Sequence, residues 1–449
     1  MPLMPRATRD ASFASNPWPD CKTKCPHFGM RSSSPAAMVP LRAPAAVPEP
    51  ARPLFGGQER GGSSMRKVMT AQQVEAIVGA PIPAVRMKQI GALDEGCRRV
   101  LANAPIAGFG FRDEQGGWRS TFVGGARGFA HVESPKRVRF ELPARHPAPK
   151  SGSGASFVFL VPGIGETLRL NGSVAERRGG RIVVTVEEAF VHCARSILRS
   201  RLWQGPRARA AAAVEPPSPR DGARHEREGG PLGDPSVARF LASSPFAVLS
   251  SWDAAGSGDT SPRGDFPGFL RILDHETLVI PDRRGNRRTD TFHNVVTCDE
   301  VSLAAVVPGR DDVLHVSGTA YVTDEPALLS TMALAGKPPQ AALVLRVARA
   351  ELLANEALQR STIWQRSAGA DAGAVPDLMA LATQHLALNE DGGAKAAMIR
   401  LLGSGAGAFP RLLRWLIDLG YRKGLTDEGY DRGATRTDDP ESQREGRLR

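Results

Sequence analysis

The stretch FLVPGIGETLRLNGSV, Phe159 to Val174, returns later in the chain as AVVPGRDDVLHVSGTA, Ala305 to Ala320. Both copies place Val-Pro-Gly ahead of a run that alternates apolar and polar residues. That is the pattern of a tight turn feeding an antiparallel strand with one buried face. Working outward, the correspondence continues on both sides. VLANAPIAGFGFRD from Val100 aligns with FLASSPFAVLSSWD from Phe240, and GGARGFAHV from Gly124 aligns with GDFPGFLRI from Gly264. ARSILRSRLW from Ala194 aligns with NEALQRSTIW from Asn355. The offset is 140 at Pro105 and Pro245, 146 at Pro162 and Pro308, and 161 at Trp203 and Trp364, while the order never changes. Two repeats of ~140 residues are too few and too long for a solenoid. They point to a duplication that placed both halves of a symmetric dimer in one chain.

The rest of the chain is consistent with this. Its 449 residues suit two domains, and its 41% apolar and 23% charged content is that of a soluble globular protein. The net charge of +11 comes from scattered arginines, and only three tyrosines are available for stacking on bases, so nucleic acid is not the expected partner. Five cysteines, an odd number, read as thiols of a reducing compartment rather than a disulfide framework. CKTKCPH offers Cys21, Cys25 and His27 with no second ligand pair at a usable distance, so no metal site is expected. No apolar run approaches the ~20 residues of a membrane span, no signal peptide is legible, and the protein reads as cytoplasmic.

Residues 1–65 are rich in Pro, Ala, Ser and Arg and read as a disordered leader whose removal up to residue 64 should leave folding unaffected; Met65 and Met69 stand as candidate starts. Residues 66–203 form the first repeat. ALDEGCRRVLANAP reads as a helix, and IAGFGFR, WRSTFVG, RVRFEL, SFVFLVPG, TLRLNGSVAE and RIVVTVEEAFV read as strands. Residues 204–234 read as a linker and 235–365 as the second repeat. Residues 366–424 read as a helical extension, with helices at VPDLMALATQHLAL, AKAAMIRLL and FPRLLRWLIDLGY, the last suited to packing on the barrels. Residues 425–449 read as a disordered tail.

SPRGDFPGFLRILDHETLVIPDRRGNRRTDTFHNV, then VVPGRDDVLHVSGTAYVTDEPALL and AGKPPQAALVLRV, resemble the pyridoxamine 5′-phosphate oxidase-like family of FMN-binding split β-barrels, in its branch of FMN-dependent enzymes. The first repeat resembles the same branch through LDEGCRRVLANAP, VPGIGETLRLNGSV and VEEAFVHCARSILRSRLW. The resemblance covers roughly residues 85–205 and 235–365. It implies a mainly β fold with helices: two tandem six-stranded split barrels forming an intrachain pseudo-dimer, plus the helical extension. It also implies a flavin held between the barrels, its phosphate on one half and the C-terminal segment of the other half beside it.

A flavin phosphate carries close to two negative charges and favours the forked donors of arginine. In IPDRRGNRRTD, Gly285 and Asn286 permit a tight turn, and the resemblance assigns Arg287 and Arg288 to the phosphate with Asn286 in support. Arg263 and Ser261 of SPRGD are the second contributors. The first repeat has lost this set: FELPARHPAPKSGSGASF replaces the turn, and Val123 stands where Arg263 does. Conversely it keeps His192, Cys193, Arg199, Arg201 and Trp203, where the second repeat has Leu353, Ala354, Arg360, Thr362 and Trp364. One composite site is therefore expected, joining the turn of repeat two to Arg199, Arg201 and Trp203 of repeat one. His315 in place of the arginine at Arg169 is a further departure.

No catalytic triad is legible and the catalytic residues stay unassigned, because a flavin supplies its own redox chemistry. The reading is an FMN-dependent oxidoreductase that transfers hydride to or from a small organic molecule, with NADH or NADPH as a candidate donor and further pairing of pseudo-dimers left open. The alternatives are a non-catalytic flavin or haem carrier of the same fold, with His192 as the haem candidate, and an interaction protein in which both sites have decayed.

Overall fold

The computed structural model describes residues 65–204, 229–365, 374–388 and 408–430. The expectations for the leader with its Cys21, Cys25 and His27, for linker residues 205–228, for the AKAAMIRLL helix and for residues 431–449 lie outside the described residues.

The chain opens with helices α1 (Ala71–Val78), α2 (Pro83–Arg86) and α3 (Glu95–Asn103). Asp94 caps α3 by accepting from the Cys97 backbone N–H at 2.8 Å. Strands β1 (Ile106–Arg112), β2 (Trp118–Gly124), β3 (His131–Ser134), β4 (Arg137–Glu141), β5 (Gly154–Leu160), β6 (Thr167–Arg178) and β7 (Arg181–His192) form barrel one, closed by α4 (Arg195–Ser200). Helix α5 (Pro235–Ser243) leads into barrel two: β8 (Phe246–Trp252), β9 (Gly258–Gly264), β10 (Arg271–Ile272), β11 (Thr277–Asp282), α6 (Asp290–Val295), β12 (Glu300–Val306), β13 (Asp312–Thr323), α7 (Pro326–Ser330), β14 (Ala341–Ala354) and α8 (Glu356–Ser361). Among the described residues two further helices follow, α9 (Leu378–Leu388) and α10 (Ala408–Glu428).

The two sheets have one topology. Barrel one runs β2-β1-β5-β6-β7-β4-β3, and barrel two runs in the matching order β9-β8-β12-β13-β14-β11-β10, all neighbours antiparallel. Each sheet has seven strands rather than six. The extra members, β3 and β10, have only four and two residues, too short for a period-2 pattern to be legible. The repeats also agree in detail: both break register after the residue pair Asn171 and Ser317, and both end their closing helix in a left-handed residue, Arg201 (φ 50°) and Thr362 (φ 47°).

Each barrel buries its own apolar core, and a third cluster joins them. Ile106, Phe122, Val158 and Leu160 of barrel one meet Phe246, Val248, Ala304 and Val306 of barrel two, all at most 2% exposed. Beside them runs a buried hydroxyl layer: Ser120 Oγ donates to Ser250 Oγ at 2.7 Å, and Ser156 and Thr260 lie 2.6 Å apart. Gly110 is required there, since a Cβ would fall 2.3 Å from Ser250 Oγ and 2.5 Å from Thr260 Oγ1.

Three boundaries differ from the sequence expectation. The segment from residue 66 was assigned to the first repeat, but Val68 bridges to Val322, and Val68, Val74 and Val78 pack into the core of barrel two. Reciprocally, Leu378, Leu381 and Ala382 of α9 pack into barrel one. Residues 229–234, read as linker, are held down by Leu232, which donates to the His275 carbonyl and is buried. The tail assigned from residue 425 is packed through residue 430: Leu425 is fully buried and Tyr430 2% exposed. These are short apolar insertions in charged sequence, and composition averaged over a window hides them.

Candidate functional site

The pseudo-dimer creates two junctions where one barrel's β2 or β9 edge faces the other barrel's long closing hairpin. The first junction joins β9 and the loop after β11, both of barrel two, to β6, β7 and α4 of barrel one. Strand β11 ends at Asp282, pairing with Ala341, and the chain then turns through Arg283–Thr289 into α6. Asn286 Oδ1 accepts from the Arg288 backbone N–H at 3.0 Å, and Arg287 adopts φ 57°. This turn sends the two neighbouring arginines in different directions.

Arg288 enters the junction. Its guanidinium lies 3.7 Å from the centroid of the Phe190 ring, it pairs with Asp290, and Nη2 is 3.6 Å from Glu188 Oε1. Phe190 and Glu188 belong to β7, so a barrel-two side chain is held by barrel one. Arg169 of β6 lies 4.9 Å from the same ring and forms an ion pair with Asp259 of β9, again across the junction. Arg263 pairs with Asp282 at 3.2 Å, and Ser261 donates to Asp259 Oδ2 at 3.1 Å. From α4, Arg195 and Arg199 both donate to the Arg284 carbonyl, which ties the closing segment of repeat one to the turn of repeat two.

The arginines of this junction each face a carboxylate, and burial among these charges shifts its titratable groups. Burial, followed by Arg169, Lys88, Arg288 and Arg263, pushes His192 well below its ordinary value, so its ring is neutral near pH 7. Burial lowers Lys88 as well. The Glu188 carboxyl is raised by burial against the opposing pull of Arg288. Several donors at this junction are buried with no protein acceptor: Arg288 Nη1, Arg263 Nε and Asn286 Nδ2, together with Arg169 Nε. Buried donors without partners are rare in proteins, and forked arginine donors are of the kind that a phosphate group takes up. The chemistry of the set fits a phosphate-bearing ligand.

The sequence-assigned residues are not all brought together. Arg263, Ser261, Asn286, Arg288 and Arg199 converge on this junction. Arg287 is exposed and lies against Gly79, at the end of α1. Arg201 sits 5.6 Å from the Phe266 ring. Trp203 donates from Nε1 to the Ile164 carbonyl at 2.8 Å, and its counterpart Trp364 does the same to Arg310 at 2.9 Å. The tryptophan therefore pins the Val-Pro-Gly turn in both repeats, which explains why both retain it. Reading from sequence missed Lys88, Glu188, Phe190 and Asp259, which lack a motif of their own. It also missed the end of α10: Glu428 pairs with Arg199 at 2.5 Å and Arg195 at 3.1 Å, and Tyr430 donates to Asp265 at 2.6 Å.

At the second junction the counterparts of Asp259, Arg169, Glu188 and Phe190 are all changed. Arg119 stands for Asp259, His315 for Arg169, Arg349 for Glu188 and Glu351 for Phe190. A cavity of about 500 Å³ lies at this junction, lined among others by Arg145, His146 and Pro147 of the turn that replaces GNRR.

Residues 234–354 match the pyridoxamine 5′-phosphate oxidase family. No curated protein matches the chain. Among solved structures, HupZ of Group A Streptococcus is similar at 21% identity over 26% of this chain and 93% of its own, with a TM-score of 0.23. HutZ, the heme storage protein of Vibrio cholerae, is similar at 13% over 27% and 93%, TM-score 0.21. A protein related to general stress protein 26, of the pyridoxinephosphate oxidase family, from Clostridium acetobutylicum is similar at 11% over 26% and 86%, TM-score 0.20. Among the described residues no helix is long and apolar enough to cross a membrane.

Proposed function

We propose that the chain is an FMN-binding flavoprotein with one composite site at the first junction, acting as an oxidoreductase on a small organic molecule; the match of residues 234–354 to the pyridoxamine 5′-phosphate oxidase family and the shared strand order of the two sheets support this reading. The observation that carries this reading is the set of buried, partnerless donors on Arg263, Asn286 and Arg288, held against Phe190 and Glu188 of the other barrel. Those donors would take the flavin phosphate. Arg195 and Arg199 hold the turn in position through the Arg284 carbonyl, and Phe190 covers the guanidinium of Arg288 from solvent. Bound flavin would supply hydride chemistry; the protein would supply position and the unpartnered donors of Arg263, Asn286 and Arg288.

The test is flavin released and counted per chain after reconstitution with FMN. One equivalent is expected, lost in Arg263→Ala/Arg288→Ala and kept in Arg287→Ala. Two equivalents, or retention in the double variant, would remove the composite site. Bleaching of the flavin band by NADH or NADPH separates the enzyme from a carrier. His192 supports a second reading, a haem carrier, since its ring is neutral and its Nδ1 has no partner. A haem absorption band lost in His192→Ala would favour that reading over the first.

A further inference from the structure

The second junction has been rebuilt, with its own set of polar groups. Its cavity is walled by Phe111, Trp118, Pro147, Val316 and Leu353, and Arg119, Arg145, Arg349, His146 and His315 supply donors around it. The volume is that of a site for a small organic molecule. Two observations point to a ligand. Thr121 lines the cavity, is 2% exposed, and its Oγ1 has no partner; its counterpart Ser261 is hydrogen-bonded. His315 donates from Nδ1 to the Ser120 carbonyl at 2.8 Å, because a carbonyl only accepts, so a neutral ring leaves Nε2 as a bare acceptor. Burial lowers His315, and burial with His315 and Arg145 nearby brings His146 down to about 4, so both rings are neutral near pH 7.

The charge balance decides what kind of ligand fits. Arg119 is held by Asp113 at 2.7 Å and Arg145 by Glu356 at 3.2 Å. Arg349 is the loosest, 3.8 Å from Glu351, with a side chain 51% exposed. Three guanidiniums facing three carboxylates leave no surplus for a phosphate dianion, but Arg349 is free to turn its fork onto one carboxylate. The apolar aromatic walls suit a ring, and the bare His315 nitrogen and the Thr121 hydroxyl suit a hydroxyl or amine on it.

We propose that the second junction binds an aromatic monocarboxylate carrying a ring hydroxyl or amine, with Arg349 on the carboxylate and Thr121 and His315 on the ring substituent. The site is independent of the flavin junction, since none of its residues belongs to the Arg288 turn.

The probe is 3-hydroxy-2-naphthoate, titrated by its fluorescence into the full chain, with the neutral 3-hydroxy-2-naphthamide as comparison. One saturable site per chain is expected, with the amide bound at least about tenfold more weakly, the worth of one charge-assisted fork. Arg349→Gln should weaken the acid by about tenfold and leave the amide nearly unchanged. Leu353→Trp, at a position 53% exposed, should fill the cavity and abolish both. No saturation at millimolar probe, binding that survives Leu353→Trp, equal weakening of acid and amide by Arg349→Gln, decanoate binding as tightly as the naphthoate, or displacement of the probe by FMN from Arg263→Ala/Arg288→Ala protein would each overturn the proposal. Should Leu353→Trp fail to fold, Arg349→Gln at its half-exposed position still decides through the acid-to-amide ratio.

Discussion

Arg169 and Asp259 hold the two barrels together with a pair of charges from which water is excluded, 1% and 7% exposed at the side chain. Such a pair gives little net stability over apolar groups of equal size, but removing one member strands the other. Arg169→Ala should therefore cost about 3–5 kcal/mol in urea unfolding. Arg169→Ala combined with Asp259→Ala should recover much of that loss, and a double variant as unstable as the single one would count against a pair across the junction. A second residue-scale effect concerns pH. Burial works to raise the Asp94 carboxyl, yet hydrogen bonds from His385, whose Nε2 donates at 2.9 Å, and from the Cys97 backbone outweigh it and hold the group at about 2. Its folded value lies below the unfolded one, so the stabilisation is present above about pH 4 and is lost as pH falls towards 2. Asp94 is about a third exposed, so the effect is discounted to about 1 kcal/mol. Asp94→Asn should melt lower than the parent at pH 6 and converge with it near pH 2.5. A gap that persists at the acid end would exclude the charge as its origin. At this scale the sequence was half legible. It marked GNRR as a turn, but which of two adjacent arginines faces the junction depends on the left-handed backbone at residue 287, and nothing in the letters fixes that.

Helix α10 ends against the first junction. Leu425 and Tyr430 pack with Ala194, which precedes α4, and with Leu198 of α4, and Glu428 places its carboxylate on Arg195 and Arg199. A carboxylate on those guanidiniums competes with any other anion that approaches them. Glu428→Gln should therefore raise the affinity for FMN, by roughly fivefold if the buried contact is worth ~1 kcal/mol. The readout is quenching of flavin fluorescence on titration. Unchanged or weaker uptake would mean that the helix end merely supports α4. This element was visible in sequence only as far as FPRLLRWLIDLGY, where the apolar stripe repeats at helical spacing. Beyond it, TDEGYDRG is charged and carries single apolar residues, so burial of Tyr430 is decided by contact with Phe266 and Asp265 and not by local pattern. The strands present the opposite case. The offset of 140 reproduces β1 and β2 as β8 and β9 residue for residue, because a half-buried strand cannot slip by one without turning its apolar face outward.

At the scale of the whole molecule, the two sheets share one topology, but the charged residues at their two junctions differ. In the chain as it stands, Arg169 faces Asp259 at one junction and His315 faces the Arg119 strand at the other, donating to Ser120. A homodimer of repeat one would instead set Arg169 against Arg119 at both junctions, placing like charges where water is excluded, which is costly. A homodimer of repeat two would set neutral His315 against Asp259, with no cation to match the carboxylate. The exchange of helices adds to this: α1 completes the core of barrel two, and α9 completes that of barrel one, so each half carries part of the other's core. Expressed separately, residues 65–204 and 229–430 should fail to give stable folded species, because each exposes the apolar cluster built around Phe122 and Phe246. Co-expressed, they should assemble one to one, and native mass spectrometry should find the heterodimer without either homodimer. A monodisperse homodimer of residues 65–204 would show that the changed charges at the junctions do not choose the partner, and the specialisation of the two junctions would then need another cause.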